Sequence, residues 1–325
     1  MNRELLLLRH GKSDWSVDVD DFHRPLKDRG KRGAQHIGVW LAQVALQPDL
    51  VVSSPAERAI NTAEKALKAM GTGVDGIVRD DRIYEAGVDA LLRVLGDVPE
   101  QSDRVMLVGH NPGFENLLSY LVGKGVGVPP DGKLMPTAAL ARVAMPDQWN
   151  ALDPGCGELI SLTLAKDLPN KFPYPDAQGT ELRDRPAYYY TQSSVIPFRV
   201  VDGRLEIVLV SSSSQKHFVI PKGIADPGLS LTESAANEAF EEAGVEGEVL
   251  SPSLGSYDYA KWGATCSVEV FPMRVTRELP EAEWEEKHRG RRWVSVDEAL
   301  KLIKQAALKP MIRMLAEKFS SADVG

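Results

Sequence analysis

The sequence has 325 residues, about twice the ~150 residues of a typical domain, and this length predicts two domains. Hydrophobic residues make up 43% and charged residues 26%, a composition that excludes a mostly disordered chain. The net charge of −8 is shared equally, because residues 1–170 and 171–325 each carry 19 Lys and Arg against 23 Asp and Glu. Without a basic half or tail, the sequence argues against a nucleic-acid partner, and anionic substrates would be bound by local cations or metal.

Two features bear on the cellular compartment. The two cysteines, Cys156 and Cys266, are too few for a disulfide framework or a zinc cluster. The N-terminal segment has only four leucines between charged residues, which does not fit a signal peptide, and no stretch reaches the ~18 apolar residues of a membrane span. We therefore expect a cytoplasmic protein with no membrane partner.

Short apolar runs alternate with helix-like runs in the first half. The strand-like runs are 4–8, 50–53 and 104–108, and the helix-like runs are 33–43, 56–70 and 89–95. This alternation predicts an α/β fold with a mainly parallel sheet. Ligands of such sheets bind beyond the carboxyl ends of the strands, so the residues that follow each strand are candidate site residues.

Charged and imidazole side chains follow these strands. Arg9 and His10 end the first run, Arg58 lies near the start of the helix after the second, and His110 follows the third. The two guanidinium groups can bind a phosphoryl group in bidentate fashion. A neutral His10 could attack phosphorus, His110 could donate to a phosphoryl oxygen, and Glu85 could protonate the leaving group.

The run Leu7-Leu8-Arg9-His10-Gly11-Lys12-Ser13 resembles the signature of the histidine phosphatase superfamily, specifically its SixA-type phosphohistidine phosphatase branch. Supporting segments are 24–26, 53–59, 109–112 and 136–139. The resemblance covers residues 3–170. It implies His10 as the nucleophile, Arg9, Arg58 and His110 as phosphate ligands, and no metal. Lys12 is either a further phosphate ligand or an ordinary surface lysine, and we interpret His23 and His36 as non-catalytic.

A segment rich in proline separates the two halves. Residues 169–190 contain four prolines and show no sustained hydrophobic period. We predict a linker there, between a domain at 1–168 and a second domain at 191–325.

A glycine-containing loop and a capped helix mark the second half. Ser230 and Glu233 fit a capping box, and Gly244 fits the C-terminal end of a helix through 234–243. Three carboxylates would share one stripe of this helix: Glu238, Glu241 and Glu242. A solvated acidic face is one interpretation. The other is a site for Mg²⁺ or Mn²⁺, which would relieve the repulsion and bridge to substrate phosphates.

Gly223 and the run 238–245 resemble the Nudix box. Leu229 stands where that motif usually has Glu, and Asn237 where it usually has Arg. The resemblance covers residues 190–318 and implies an α/β/α sandwich with a mixed sheet. It also implies hydrolysis of a nucleoside diphosphate linked to another moiety, or of a similar phosphoanhydride. The implied metal ligands are Glu238, Glu241, Glu242 and the Gly223 carbonyl, with Glu241 as the candidate catalytic glutamate.

Several cations of the second half are candidate substrate ligands. They are Lys216, Lys222, Lys261, Arg289 and Arg291. Their segments resemble Nudix members that act on diadenosine polyphosphates and diphosphoinositol polyphosphates, and such cations suit a highly phosphorylated ligand. The alternative is that Arg291 and Arg292 pair with the acidic run 281–286.

These interpretations combine into three functional hypotheses. The first is a bifunctional phosphohydrolase, in which the Nudix domain cleaves a phosphoanhydride and the phosphatase domain removes a terminal phosphate from a small phosphorylated substrate. The second replaces that substrate by oxidised nucleoside triphosphates, as in MutT-type proteins. The third is a phosphatase of phosphohistidine proteins, regulated by a Nudix domain that senses a ligand. The Nudix resemblance is also compatible with a homodimer.

Overall fold

A computed structural model of the chain describes residues 3–123, 134–176 and 179–319. The chain divides into two compact units, residues 1–172 and 173–325. The boundary between them falls inside the segment that the sequence predicts to be a linker. No helix in the described ranges has both the length and the apolar character of a membrane span.

The first unit is built around a six-stranded sheet. Its elements are β1 (Arg3–Arg9), α1 (Asp28–Gln43), β2 (Leu50–Ser53), α2 (Glu57–Met70), β3 (Ile77–Arg79), α3 (Val88–Gly96), β4 (Arg104–Gly109), α4 (Gly113–Val122), β5 (Ala139–Met145) and β6 (Glu158–Leu164). The strand order is β3-β2-β4-β1-β5-β6. The first four strands in this order are parallel, and β5 and β6 are antiparallel additions. The predicted α/β fold with a mainly parallel sheet is confirmed.

The alternation of side chains along β1 explains the layers of this unit. Leu6 and Leu8 point to the face covered by α1 and α2, while Leu5 and Leu7 point to the face covered by α3 and α4. All four leucines have no exposed surface, so β1 lies at the centre of the core. The buried sheet therefore fixes where the loops at its carboxyl edge project.

The predicted linker contains regular structure. A two-stranded hairpin, β7 (Phe172–Asp176) and β8 (Gly179–Arg183), is followed by a short 3₁₀ turn. The Arg183 guanidinium packs 3.3 Å from the ring centroid of Tyr174 and 4.7 Å from that of Tyr190. These cation–π contacts give a proline-rich segment an ordered path that its sequence pattern does not indicate.

The second unit is a mixed sheet between helices. Its elements are β9 (Thr191–Val201), β10 (Arg204–Ser211), β11 (Phe218–Val219), β12 (Lys222–Ile224), α5 (Leu231–Ala243), β13 (Val245–Val249), β14 (Gly255–Lys261), β15 (Ala264–Glu278), β16 (Arg291–Ser295), α6 (Val296–Leu302) and α7 (Leu308–Phe319). Strands β9 and β15 pair in parallel, and the other pairs are antiparallel. Helix α5 packs on one face of the sheet, and α6 and α7 pack on the other. The predicted α/β/α sandwich is confirmed.

Helix α5 begins and ends where the sequence predicts. The Ser230 hydroxyl accepts from the Glu233 backbone N–H, and the Glu233 carboxylate accepts from the Ser230 N–H, forming the capping box. Gly244 ends the helix in the left-handed conformation at φ 59°. Three buried alanines, Ala235, Ala239 and Ala243, face the sheet, which places the glutamate stripe on a different side of the helix from the apolar contact.

Candidate active sites

The ends of two neighbouring strands bring the two histidines together. Arg9 ends β1 opposite Gly109 of β4, so His10 and His110 follow at adjacent positions. Their ring centroids are 5.0 Å apart, and both residues are buried. Arg58, buried in the first turn of α2, and the Arg9 guanidinium both exert a positive field on the two imidazoles. The four residues therefore form one cluster, which we call the histidine pocket.

The backbone fixes the tautomer of His10. Its Nδ1 lies 2.7 Å from the carbonyl oxygen of Gly11, and a carbonyl can only accept a hydrogen bond. Nδ1 must therefore carry the proton, which leaves the lone pair of Nε2 available. Gly11 is itself held by its N–H, which donates to the Thr62 hydroxyl at 2.9 Å. This arrangement orients Nε2 as a nucleophile.

One ring nitrogen of His110 has a hydrogen-bond partner in the described structure, and the other has none. Its Nε2 lies 2.8 Å from the hydroxyl of the buried Ser54. Its Nδ1 is buried without a hydrogen-bond partner, as is the Nε of Arg9. Unpaired buried polar atoms are unfavourable, so these two atoms mark where a polar ligand would bind. A phosphoryl group held by Arg9 and Arg58 would satisfy both.

Burial keeps both imidazoles neutral. Burial, with a smaller effect from the Arg58 and Arg9 charges, lowers the pKa of His10 to about 4. Burial, with the neighbouring His10 and Arg58, lowers the pKa of His110 to about 3. A neutral imidazole is the form that can attack phosphorus, so the pocket holds its nucleophile in the reactive state at neutral pH.

We expect neither His10 nor His110 to become protonated between pH 8 and pH 5 in the folded, ligand-free protein. An unfolded histidine takes up its proton near pH 6.5, so between pH 6.5 and pH 4 the unfolded state binds more protons and folding stability falls as pH falls. The measurement is an NMR titration of the imidazole resonances, assigned with His10→Ala and His110→Ala. Titration of either ring near pH 6.5 would contradict the burial argument.

Asp21 organises the cationic side of the histidine pocket, and sequence reasoning missed it. Its carboxylate accepts from Arg58 at 2.7 Å, from Arg24 at 2.6 Å and from the Tyr84 hydroxyl at 3.0 Å. Burial would raise the pKa of Asp21, but the hydrogen bonds from Tyr84 and Arg58 outweigh burial and lower it. Asp21 therefore positions the Arg58 guanidinium. It lies in a charged loop without hydrophobic periodicity, so no sequence pattern indicated this role.

Two predicted site residues of this unit, Glu85 and Lys12, are exposed, unlike the buried histidines of the histidine pocket. Glu85 is exposed and adopts the left-handed conformation at φ 49°, next to Tyr84 in the loop before α3. A non-glycine residue in this conformation is strained, and such strain concentrates at functional loops. Lys12 is also exposed, and it lines a separate cavity beside α1. His23 is exposed, and His36 stacks on Phe172 with 4.2 Å between ring centroids, outside the histidine pocket.

Helix α5 places two of its three glutamates against β12. A Cβ atom on Gly223 would lie 1.8 Å from Oε1 of Glu238, so a larger residue there would displace this carboxylate from its place beside β12. Glu242 accepts from the backbone N–H of Lys222 at 3.0 Å. Glu238 and Glu242 are half-buried, whereas Glu241 is exposed. The structure thus orders the stripe into two inward carboxylates and one outward carboxylate.

The carboxylates of this cluster repel one another. Burial, followed by the charges of Glu242, Glu241 and Asp226, raises the pKa of Glu238 to about 8. Oxygen donors under such repulsion suit a divalent cation of the Mg²⁺ type. Among the described residues, no three acidic, cysteine or histidine side chains already converge in metal-binding geometry. The fit to Mg²⁺ rests on the donor chemistry of the three carboxylates, Glu238, Glu241 and Glu242, which would have to draw together to hold the ion.

Arg289 has a different role from the predicted one. Its guanidinium pairs with Glu242 at 2.7 Å, with both side chains only 12% exposed, and it also pairs with Glu286. The Asn237 side chain cannot supply a positive charge to the glutamates, and Arg289 supplies one from the 3₁₀ turn before β16. Its donors are directed at protein carboxylates, so we correct its assignment from substrate ligand to ion-pair partner.

Arg291 also differs from its predicted role. Its guanidinium donates to the carbonyl of Gly244 at 2.5 Å and to that of Leu279 at 2.7 Å, and it pairs with Glu278 at 3.3 Å. Arg291 therefore caps the C-terminal end of α5, where cations are favourable. Neither of the two predicted roles, substrate binding or pairing with the 281–286 run, describes these contacts.

The three lysines lie in three environments. The Lys222 ammonium donates to the Tyr259 hydroxyl at 3.0 Å and to Gln192 Oε1 at 3.1 Å. Burial lowers its pKa, although the charges of Glu242 and Glu238 oppose the shift. Lys216 is exposed, and Lys261 is exposed with its ammonium 4.2 Å from the ring centroid of Trp262. Only Lys222 therefore lies beside the glutamate cluster.

We expect Arg289→Ala to lower the free energy of unfolding of the second unit by about 2 kcal/mol, because it leaves the carboxylate of Glu242, only 12% exposed, without its ion-pair partner. Arg292→Ala is the matched control, since Arg292 pairs with Glu298 at side chains that are 52% and 38% exposed. That exposed pair should contribute less than about 1 kcal/mol. Calorimetry of both variants measures the difference. Equal effects would show that the Arg289 pair is not the structural contact described here.

Two family models match the two units. The histidine phosphatase superfamily (branch 1) matches residues 5–91, and the NUDIX domain matches residues 191–315. Nudix hydrolase 12, mitochondrial, of Arabidopsis thaliana is 32% identical over 165 residues, which are 42% of this chain and 80% of that protein. Nudix hydrolase 13, mitochondrial, of the same plant is 31% identical over 158 residues, covering 40% of this chain and 77% of the relative.

Solved structures resemble each unit. The protein histidine phosphatase SixA complexed with tungstate has 19% identity and a TM-score of 0.44, covering 50% of this chain and 98% of that one. A C. elegans Ap4A hydrolase has 18% identity and a TM-score of 0.36, covering 41% of this chain and 99% of that one. The family models and the plant relatives carry the assignment. The chain is a phosphohydrolase that joins an N-terminal domain of the histidine phosphatase superfamily to a C-terminal domain of the Nudix hydrolase family.

Proposed function

We propose that this chain is a bifunctional phosphohydrolase with two chemically independent sites. The Nudix domain would cleave a phosphoanhydride of a nucleotide or inositol pyrophosphate with Mg²⁺ or Mn²⁺, and the phosphatase domain would remove a terminal phosphate. The observation that carries this proposal is the tautomer of His10, which leaves Nε2 free beside Arg9 and Arg58. A reducing, cytoplasmic setting is part of the proposal, supported by the free thiols of Cys156 and Cys266.

The phosphatase reaction would have two steps. The lone pair of His10 Nε2 forms a bond to phosphorus while the bond between phosphorus and the leaving oxygen breaks, and Glu85 protonates that oxygen. Water then attacks the phosphohistidine while the Glu85 carboxylate takes a proton from it, the P–N bond breaks, and inorganic phosphate leaves. Arg9, Arg58 and the free Nδ1 of His110 would stabilise the charge on the phosphoryl oxygens in both steps.

The Nudix reaction would use the glutamates of α5. Glu238, Glu241 and Glu242 would hold a Mg²⁺ ion, which would supply charge neutralisation at the phosphate oxygens and a more acidic water. Glu238 and Glu242, held against β12, would position the metal, and Glu241, the most exposed of the three glutamates, would accept a proton from water. Lys222, which lies beside this cluster, would contact a substrate phosphate.

A cavity in the second unit favours a nucleotide as the substrate. Its volume is about 160 Å³, and Lys222 lies at its wall. Aromatic side chains line it, including Phe218, Tyr257 and Tyr259. Such a surface suits a nucleobase, which has a planar apolar face, better than an inositol ring with its polar substituents. This supports a nucleoside polyphosphate such as a diadenosine polyphosphate.

We expect Glu85→Gln to lower phosphatase kcat at least tenfold for an alkyl phosphate and less than threefold for p-nitrophenyl phosphate. A poor leaving group needs a proton as it departs, and nitrophenolate does not. Steady-state kinetics on the two esters measure the difference. Glu100→Gln, an exposed glutamate elsewhere in the same unit, is the control. Equal losses on both esters would remove Glu85 from the role of general acid.

Product analysis by ion-exchange chromatography tests the proposed function. Diadenosine polyphosphates, a diphosphoinositol polyphosphate, nucleoside triphosphates and a phosphohistidine protein would each be offered with Mg²⁺ and with EDTA. The proposal expects anhydride cleavage only with Mg²⁺ and phosphate release that survives EDTA. Tight nucleotide binding without cleavage would instead favour a sensor, which the Asn237 and Leu229 departures motivate. Release of phosphate only from the phosphohistidine protein would favour a signalling phosphatase.

A further inference from the structure

Ser54 contacts His110 where two neighbouring parallel strands end. Ser54 directly follows β2, and His110 directly follows β4. Ser53 lies opposite Val108 in the ladder between these strands, and the Ser54 N–H donates to the Val108 carbonyl at 2.9 Å. Ser54 has no exposed surface. The 2.8 Å contact between its hydroxyl and Nε2 of His110 is therefore made by two residues that the sheet holds side by side.

The proton of the Ser54 hydroxyl has a defined direction. A serine hydroxyl donates one hydrogen bond and accepts others. The Ala56 N–H donates to it at 3.3 Å, in a local turn that spans Pro55. Among the residues that the structure describes, the one acceptor within reach of this hydroxyl is Nε2 of His110. The hydroxyl proton is therefore directed at that nitrogen.

This contact decides which ring nitrogen of His110 carries a proton. Burial, followed by the charges of His10 and Arg58, lowers the pKa of His110 to about 3, so the neutral ring has one proton at pH 7. If Nε2 accepts from the Ser54 hydroxyl, that proton must be on Nδ1. Nδ1 is the ring nitrogen that is buried without a hydrogen-bond partner. An Nδ1–H group would therefore face the place where a polar ligand is expected.

The two histidines of the pocket would then have complementary roles. The Gly11 carbonyl accepts from Nδ1 of His10 and leaves the lone pair of its Nε2 for attack on phosphorus. The Ser54 hydroxyl donates to Nε2 of His110 and leaves its Nδ1–H for a phosphoryl oxygen. An uncharged N–H group can stabilise charge on that oxygen and cannot protonate the nucleophile beside it, because it keeps its proton. One ring therefore supplies a lone pair and the other supplies a donor.

We propose that Ser54 is a positioning residue of the phosphatase reaction, which holds the proton of His110 on Nδ1 and so makes this nitrogen a hydrogen-bond donor to the phosphoryl group. The inference rests on the proposed phosphatase reaction and adds to it a residue that acts through His110. A donor that strengthens its hydrogen bond in the transition state raises kcat more than it lowers KM. Loss of the Ser54 hydroxyl should therefore appear mainly in kcat.

NMR of the ligand-free full chain at pH 7 tests the tautomer without any turnover. Long-range ¹⁵N–¹H correlations of the imidazoles distinguish a protonated ring nitrogen from one with a lone pair, and His110→Ala assigns the signals. We expect a protonated Nδ1 in the wild type and in Ser53→Ala, and transfer of the proton toward Nε2 in Ser54→Ala. Ser53 is the matched control, because it is equally buried and its hydroxyl donates to the Ser54 carbonyl at 2.9 Å. Unchanged signals of His23 and His36 show that the variants are folded.

A wild-type ring protonated on Nε2, or an unchanged tautomer in Ser54→Ala, would overturn the inference. The first of these results needs no substitution, so it holds even for a variant that does not fold.

Steady-state kinetics of phosphate release in EDTA measure the consequence for the reaction. Ser54→Ala should lower kcat at least tenfold and change KM less than threefold, and Ser53→Ala should change both less than threefold. An equal loss in the two variants, or an unchanged kcat in Ser54→Ala, would overturn the inference while His10→Ala still tests the nucleophile. A wild-type protein that releases no phosphate would instead overturn the proposed function, whatever the spectra show.

Discussion

His10→Ala should lower phosphate release in EDTA at least a thousandfold, with kcat falling far more than KM rises. The variant removes Nε2 of His10, the atom whose lone pair the Nδ1–Gly11 hydrogen bond leaves available for attack. Arg9 and Arg58 remain, so the phosphoryl group can still bind. Removing a nucleophile while binding is kept lowers kcat, because no covalent intermediate can form. Steady-state kinetics on a phosphomonoester measure both constants.

Two comparisons make this result specific. His23→Ala removes an exposed imidazole of the same unit, which lies 2.7 Å from Asp20, and should change the rate less than threefold. Anhydride cleavage by His10→Ala with Mg²⁺ should equal that of the wild type, since the Nudix site shares no residue with the histidine pocket. Phosphate release that survives His10→Ala at a tenth of the wild-type rate would remove His10 as the nucleophile.

Strand ends are the part of the histidine pocket that a single sequence can predict. A strand buried on both faces reads as a continuous apolar run, so the residue after it is located to within one position. Arg9, His10 and His110 could be located in this way. Asp21 was not, because it belongs to a charged loop that resembles ordinary surface, and its contact with Arg58 spans 37 residues of chain. Only the folded sheet shows that this loop reaches the pocket.

The cations of the Nudix domain show what a single sequence cannot predict. Arg289 and Arg291 stand close together in the sequence and resemble a basic patch for phosphate. The fold directs them elsewhere, Arg289 to Glu242 and Arg291 to the last carbonyls of α5. A sequence shows the charge of a side chain but not which buried group pairs with it. The partner is set by the packing of segments that lie far apart in the chain. The capping box and Gly244 were predictable because their partners lie within one helical turn.

Glu238→Gln should lower Mg²⁺-dependent anhydride cleavage at least a hundredfold and, in EDTA at pH 8, make the Nudix domain more stable than the wild type. Glutamine keeps the shape of the side chain beside Gly223 but cannot carry the charge that a divalent cation needs. Calorimetry and steady-state kinetics on the same preparations measure the two effects. Phosphate release from the phosphatase domain should be unchanged, and the calorimetric transition of the Nudix domain shows that the substituted domain is folded.

The sign of the stability change follows from the raised pKa of Glu238, about 8 in the folded state against 4.5 for the free side chain. Between these values the folded state holds a proton that the unfolded state has released, so wild-type stability falls as pH rises from about 4.5 to 8. Glutamine does not titrate, and we expect it to recover about 1 kcal/mol or more at pH 8. Glu241→Gln, at an exposed position of the same stripe, should recover much less. A Glu238→Gln protein that is less stable than the wild type in EDTA would mean that the Glu238 carboxylate does not destabilise the folded domain at this pH. The expected gain would show that burial of Glu238, together with repulsion from Glu242 and Glu241, lowers the stability of the Nudix domain when no metal is bound.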